Sequence, residues 1–164
     1  MLTLYQDTKM SIEGVSFTIP KSFYIVVDED FCPVKSDGLV FTTQEKNCCI
    51  EVYTEECDAP ITLYHDFTSI LKEENMYTIH GKIEEKKENV FYSVRAIYES
   101  KHHTYFEMHM VRLKGYDKSL KMLITVEKRK ADISDILRRE DITQFINSFK
   151  AIKPTDNETE KAVD

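Results

Sequence analysis

The chain has 164 residues, with 22 Lys and Arg against 29 Asp and Glu, which leaves a net charge of −7. That length fits one ordinary domain, and 41% apolar with 31% charged residues excludes a disordered acidic chain and a membrane protein alike. Four Gly and four Pro exclude collagen-like and linker-like architectures, and the acidic balance argues against nucleic acid as a main partner, because phosphate binding rests on clustered Lys and Arg.

At the front, Gln6, Asp7, Lys9 and Glu13 interrupt every apolar stretch that could serve as a secretory signal, and no window approaches a membrane span. Residues 9–20 read as a hairpin around Glu13-Gly14 that ends at Pro20. Residues 39–43 and 48–54 read as strands around the polar turn 44–47, with Cys48, Ile50 and Val52 on one face of the second strand and Cys49, Glu51 and Tyr53 on the other. Asp58 as a cap and Pro60 near the first turn predict a helix over 60–74, on which Leu63, Tyr64, Phe67, Ile70 and Leu71 recur at helical spacing.

Four strands are predicted next, over 76–85, 90–99, 104–113 and 119–127. Their short connections force antiparallel neighbours, since a parallel return needs a long crossover. A closing helical region, capped by Asp132 or Ser134, carries Ile133, Ile136, Leu137, Ile142, Phe145, Ile146 and Phe149, with a break expected at 139–141. The expected core is Phe17, Ile19, Ile50, Val52, Phe67, Leu71, Phe106, Met108, Leu123, Ile146 and Phe149. Residues 1–153 thus form a single α+β domain, and the polar stretch 154–164 is predicted to be a disordered acidic tail.

The front motif Phe17-Thr18-Ile19-Pro20 with Phe23, and the closing motif Phe145-Ile146-Asn147-Ser148-Phe149, frame an order of elements over residues 10–152 that resembles the PsbP-like superfamily. The resemblance implies an antiparallel sheet with a C-terminal four-stranded meander and helices packed on its faces, an α/β/α sandwich. Members of that superfamily are mostly binding modules, so it implies binding rather than catalysis.

Chemistry is sparse along the chain. The segment 102–112 on the third of these strands is the richest, placing His103, Tyr105, Glu107 and His109 on one face and Thr104, Phe106, Met108, Met110 and Arg112 on the other. Two imidazoles and a carboxylate can ligate a metal ion. Yet His103 and His109 lie ~20 Å apart on an extended strand, whereas Glu107 and His109 are ~7 Å apart and would need a third ligand from elsewhere. His65 and Asp66 are adjacent on a helix and do not face each other. No serine is flanked by glycines as in a nucleophile elbow, and Gly14, Gly38, Gly81 and Gly115 stand alone, so no phosphate-binding loop is present. Cys32, Cys48, Cys49 and Cys57 show neither a C-x-x-C pair nor zinc spacing, and read as reduced structural thiols of a cytoplasmic protein.

Charge is uneven: residues 1–66 carry −8 and residues 112–153 carry +5, the latter through Lys114, Lys118, Lys121, Lys128, Arg129 and Lys130 among others. Such polarity can steer a charged partner. The expectation is a non-catalytic binding or adaptor protein that engages a protein partner through a face bearing His103, Tyr105, Glu107 and His109. It has no catalytic residues, metal ligands or cofactor. The alternative is a small metal-dependent hydrolase built on strand 103–109.

Overall fold

The structure, a computed structural model, describes residues 1–30, 38–56, 63–73, 76–88, 90–113 and 118–152. The expected tail, Cys32, Cys57, the Asp58 cap with Pro60, and Lys114 lie outside the described residues. Among the described residues the chain forms eleven strands and three helices. Two short strands, β1 (Leu2–Thr3) and β4 (Tyr24–Ile25), bracket the hairpin of β2 (Thr8–Ile12) and β3 (Val15–Ile19). That hairpin turns at Glu13 and Gly14, both at positive φ, the two-residue turn whose twist matches paired strands.

Strands β5 (Gly38–Thr42) and β6 (Cys49–Glu56) are antiparallel, and a Cβ on Gly38 would clash with the Val52 carbonyl oxygen. After α1 (Leu63–Glu73) come β7 (Thr78–Lys87), β8 (Phe91–Glu99), β9 (His103–Arg112) and β10 (Lys118–Glu127), paired in sequence as antiparallel neighbours. This is the expected meander, within a few residues at each end. The chain closes with α2 (Ile133–Arg138), α3 (Glu140–Asn147) and β11 (Lys150–Ala151). Asp132 caps α2 by accepting from the Ser134 amide at 2.8 Å, and the break falls at Arg139 as expected. The Arg139 guanidinium binds Asp141 at 2.9 Å and Glu45 at 2.8 Å, which fixes the elbow to the β5–β6 turn.

The expected α/β/α sandwich with helices on its faces is overturned. Strand β6 pairs with β10, which joins both halves of the chain into one eight-stranded antiparallel sheet ordered β1-β4-β5-β6-β10-β9-β8-β7. A second, three-stranded sheet ordered β11-β3-β2 shares the covering of one face with α2 and α3. The architecture is therefore mostly β with three short helices. The physical reason is long-range pairing: the β6–β10 and β3–β11 ladders join segments too distant in sequence for a turn signal to announce them.

Alternation on the central strands divides the interior in two. Ile50, Val52, Phe106, Met108, Met110, Leu120, Met122, Ile124 and Val126 face the small sheet and the closing helices, where Phe17, Phe23, Phe41, Phe145 and Phe149 pack ring against ring. A smaller cluster on the opposite face holds Phe67 and Leu71 of α1 against Tyr92, Val94, Ala96, Tyr98 and Val111. Of the expected core, Leu123, Ile146 and Phe149 are half-buried and the rest are buried. Among the described residues, no helix is long and apolar enough to cross a membrane.

Candidate functional site

The α1 face of the central sheet is where polar residues go inside. Tyr105, Glu107 and His109 alternate outward from β9 beneath α1, and the antiparallel register sets Lys121 of β10 opposite His109 and Tyr98 of β8 opposite Tyr105. Lys121 is also opposite Tyr53 of β6, so Tyr53, Lys121 and His109 form one row across three strands, with Glu107 and then the Tyr105–Tyr98 pair on the next rows of the same face.

Glu107 and His109 are each only 6% exposed. His109 Nε2 lies 2.7 Å from Glu107 Oε2. Since a carboxylate only accepts, Nε2 carries the hydrogen. The Tyr98 hydroxyl donates to Glu107 Oε1 at 2.9 Å. Lys121 Nζ bridges two carboxylates, 3.4 Å from Glu55 Oε1 and 3.5 Å from Glu107 Oε1, and lies 5.3 Å from the centre of the Tyr53 ring. His109 Nδ1 is buried with no hydrogen-bond partner, and Glu55 Oε2 lies 3.9 Å from it. The Phe67 ring of α1 lies over the imidazole with ring centres 4.9 Å apart.

The electrostatics follow from burial opposed by neighbours. Burial alone would push the Glu107 carboxyl up, but His109, Lys121 and Tyr98 outweigh it and hold the group below its ordinary value. Burial would lower Lys121, and the charge of Glu107 with help from Tyr53 and Glu55 reverses that and raises it. Tyr98 is raised by burial and by the adjacent Glu107 charge, so its hydroxyl stays a donor. The cluster is thus an ionised carboxylate served by three donors.

Around it lies a cavity of about 510 Å³, a size that suits a small molecule. Its walls include Phe67 and Leu71 of α1 and the rings of Tyr77, Tyr98 and Tyr105, with Glu107, His109 and Lys121 at the base. Tyr98 and Tyr105 stack 4.8 Å apart, and Tyr77 meets Tyr98 edge-on at 5.1 Å. Two clefts of about 470 and 1090 Å³ lie on the other face of the sheet, against α3. Their charged rims include the pairs Arg95–Glu84 and Lys86–Glu88, and none of the buried unpartnered atoms lines them. The chemistry sits beneath α1 instead.

Of the four residues expected to form a partner face, Glu107 and His109 meet directly and are buried. Tyr105 is half-buried beside them, its hydroxyl 3.3 Å from the Ser100 hydroxyl, and half-buried His103 lies further along β9 against the Tyr105 ring. Among the described residues, no group of three or more His, Cys, Asp or Glu side chains is placed to hold a metal ion. The ammonium of Lys121 takes the position between Glu55 and Glu107. Sequence reasoning missed Tyr98, Lys121, Glu55 and Tyr77. The antiparallel registers of β8 with β9 and of β9 with β10 carry the signal for Tyr98 and Lys121, whereas Glu55 arrives through the long-range β6–β10 pairing. The basic stretch is largely neutralised: Lys128 binds Glu99 at 2.7 Å, and Arg129 and Lys130 both reach Glu127.

No protein-family model matches the chain, and no curated protein matches it. Among solved structures it is similar to a crystal structure from Bacteroides thetaiotaomicron VPI-5482, at 14% sequence identity and a TM-score of 0.47, over 90% of this chain and 49% of that one. The chain spans about half the length of the structure it matches.

Proposed function

We propose that this protein is a non-catalytic binding module that holds a small molecule in the cavity beneath α1. The observation that carries the reading is a buried, ionised polar cluster at the base of a cavity, on a face that apolar side chains could have filled. Replacing a buried ion pair by well-packed apolar residues is often neutral or stabilising, so retention of Glu107, His109 and Lys121 fits recognition better than stability. An imidazole oriented by a carboxylate is also half of an acid–base dyad. Here its second nitrogen is buried and lies 3.9 Å from another carboxylate, which suits holding a ligand rather than turning one over.

A protein partner has support of its own in large apolar side chains left exposed on and after α1. Ile70 is 57% exposed and Met76 is 62% exposed, with Tyr64 exposed on the same helix as Ile70. The buried free thiol of Cys48 fits a reducing, cytoplasmic setting.

The test is a nuclear magnetic resonance screen with indole, phenol, benzoate and benzylamine, read at the His109 ring and at Tyr98 and Tyr105. The reading expects at least one fragment to shift these signals together and saturably. Fragments that perturb only the clefts on the opposite face, or none, would overturn it.

A further inference from the structure

We infer that the cavity selects an organic cation, a primary ammonium or guanidinium carried on a short apolar or aromatic body. The inference rests on the ligand-binding reading above and names the chemistry of the ligand. The first support is the charge of the wall. Among the described residues, Glu55, Glu56, Asp66 and Glu107 line the cavity against one ammonium, that of Lys121. Lys121 is already committed to Glu107 and Glu55, whereas Glu56 and Asp66 have no ion-pair or hydrogen-bond partner among the described residues. The region therefore keeps carboxylate charge in excess, which favours a cation and opposes an anion.

The second support is independent of that excess. His109 is nine-tenths buried, yet its Nδ1 has no partner. With the ring hydrogen on Nε2 given to Glu107, Nδ1 presents a lone pair, a pure acceptor. The Glu55 Oε2 acceptor lies 3.9 Å away. One nitrogen that donates to both at about 2.8 Å would subtend roughly 90° between them, within reach of the hydrogens of an ammonium or the fork of a guanidinium. A carboxylate or phosphate would meet two acceptors there and gain nothing. The rings of Phe67, Tyr77, Tyr98 and Tyr105 provide aromatic faces of the kind on which organic cations rest. Nδ1 is out of contact with solvent and Phe67 packs on the imidazole, so a ligand head group reaches Nδ1 by displacing side chains packed there.

The test is calorimetric titration of the whole chain with three probes that share one body and differ in head group: phenethylamine, 2-phenylethanol and 3-phenylpropionate. Glu55, with 40% of its side chain exposed, is replaced as Glu55→Gln to remove charge without opening the core. Circular dichroism confirms that this variant is folded. The amine is expected to bind about tenfold more tightly than the alcohol, a difference of about 1.4 kcal/mol. The carboxylate should bind most weakly, and Glu55→Gln should erase most of the amine's advantage. If the alcohol or the carboxylate binds as well as the amine, the cation inference falls while the cavity reading stands. An amine preference untouched by Glu55→Gln overturns the proposed head-group site. Absence of binding by all three at millimolar concentration overturns both readings.

Discussion

From β9, Phe106, Met108 and Met110 turn toward the small sheet and the closing helices, while Tyr105, Glu107 and His109 turn toward α1. The first face closes over five phenylalanine rings, and among its strand residues burial is nearly complete. The second face has fewer apolar groups, one covering helix, and charges that had to leave water to lie there. Burying apolar surface is directly favourable, whereas an ion cluster must first offset its desolvation. Within one strand, then, the two faces differ in kind: one is packed with apolar side chains and the other carries the buried charges.

The largest effect that sharpens this contrast is expected at the centre of the apolar face. Phe145 is fully buried and meets Phe17, Phe23, Phe41 and Phe149. Phe145→Ala should cost about 4 kcal/mol through lost burial and a residual cavity, measured by urea denaturation. A loss under about 1 kcal/mol would break the claim that this face carries the stability.

On the polar face, Glu107→Gln should cost about 2–3 kcal/mol at neutral pH, because it removes the charge that three donors serve. Its pH dependence has a definite sign. The Glu107 carboxyl is held below the ordinary 4.5 in the folded chain, so the unfolded chain takes up the proton first. The contribution is complete above 4.5 and is lost as pH falls through the folded value. The gap between wild type and Glu107→Gln should therefore close on acidification, and a gap that stays constant to low pH would contradict the assignment. Tyr98→Phe should have the smallest effect, about 1–2 kcal/mol, by deleting one donor to that carboxylate. A neutral result would mean that the hydroxyl of Tyr98 does not serve Glu107.

Local signals carried much of the fold and only part of the site. The Glu13-Gly14 turn, the short connections of the meander and the Asp132 cap are near-neighbour effects, and they placed β2 and β3, the four strands β7 to β10, and α2. Alternation on β9 also put Glu107 and His109 on one face. Which face would be buried depended on α1 and on β6, and the pairing of Glu55 and Glu56 with Ser119 and Lys118 joins residues more than sixty apart in the chain. Helices expected on both faces gave way to a small sheet because β11 returns to β3, a pairing of two residues that no periodicity announces. Lys121 reads as one more member of a basic stretch until the register sets it beside Glu107.

The most direct test of the division between the faces is the stability of a triple variant, Glu107→Leu with His109→Leu and Lys121→Met, measured by urea denaturation beside wild type. If the cluster is kept for binding, the apolar triple should be as stable as wild type to within about 1 kcal/mol, or more stable, since no charge is left without its partner. A loss of about 3 kcal/mol or more in a folded variant would show that the polar cluster holds the structure together, and would contradict the assignment of this face to ligand recognition.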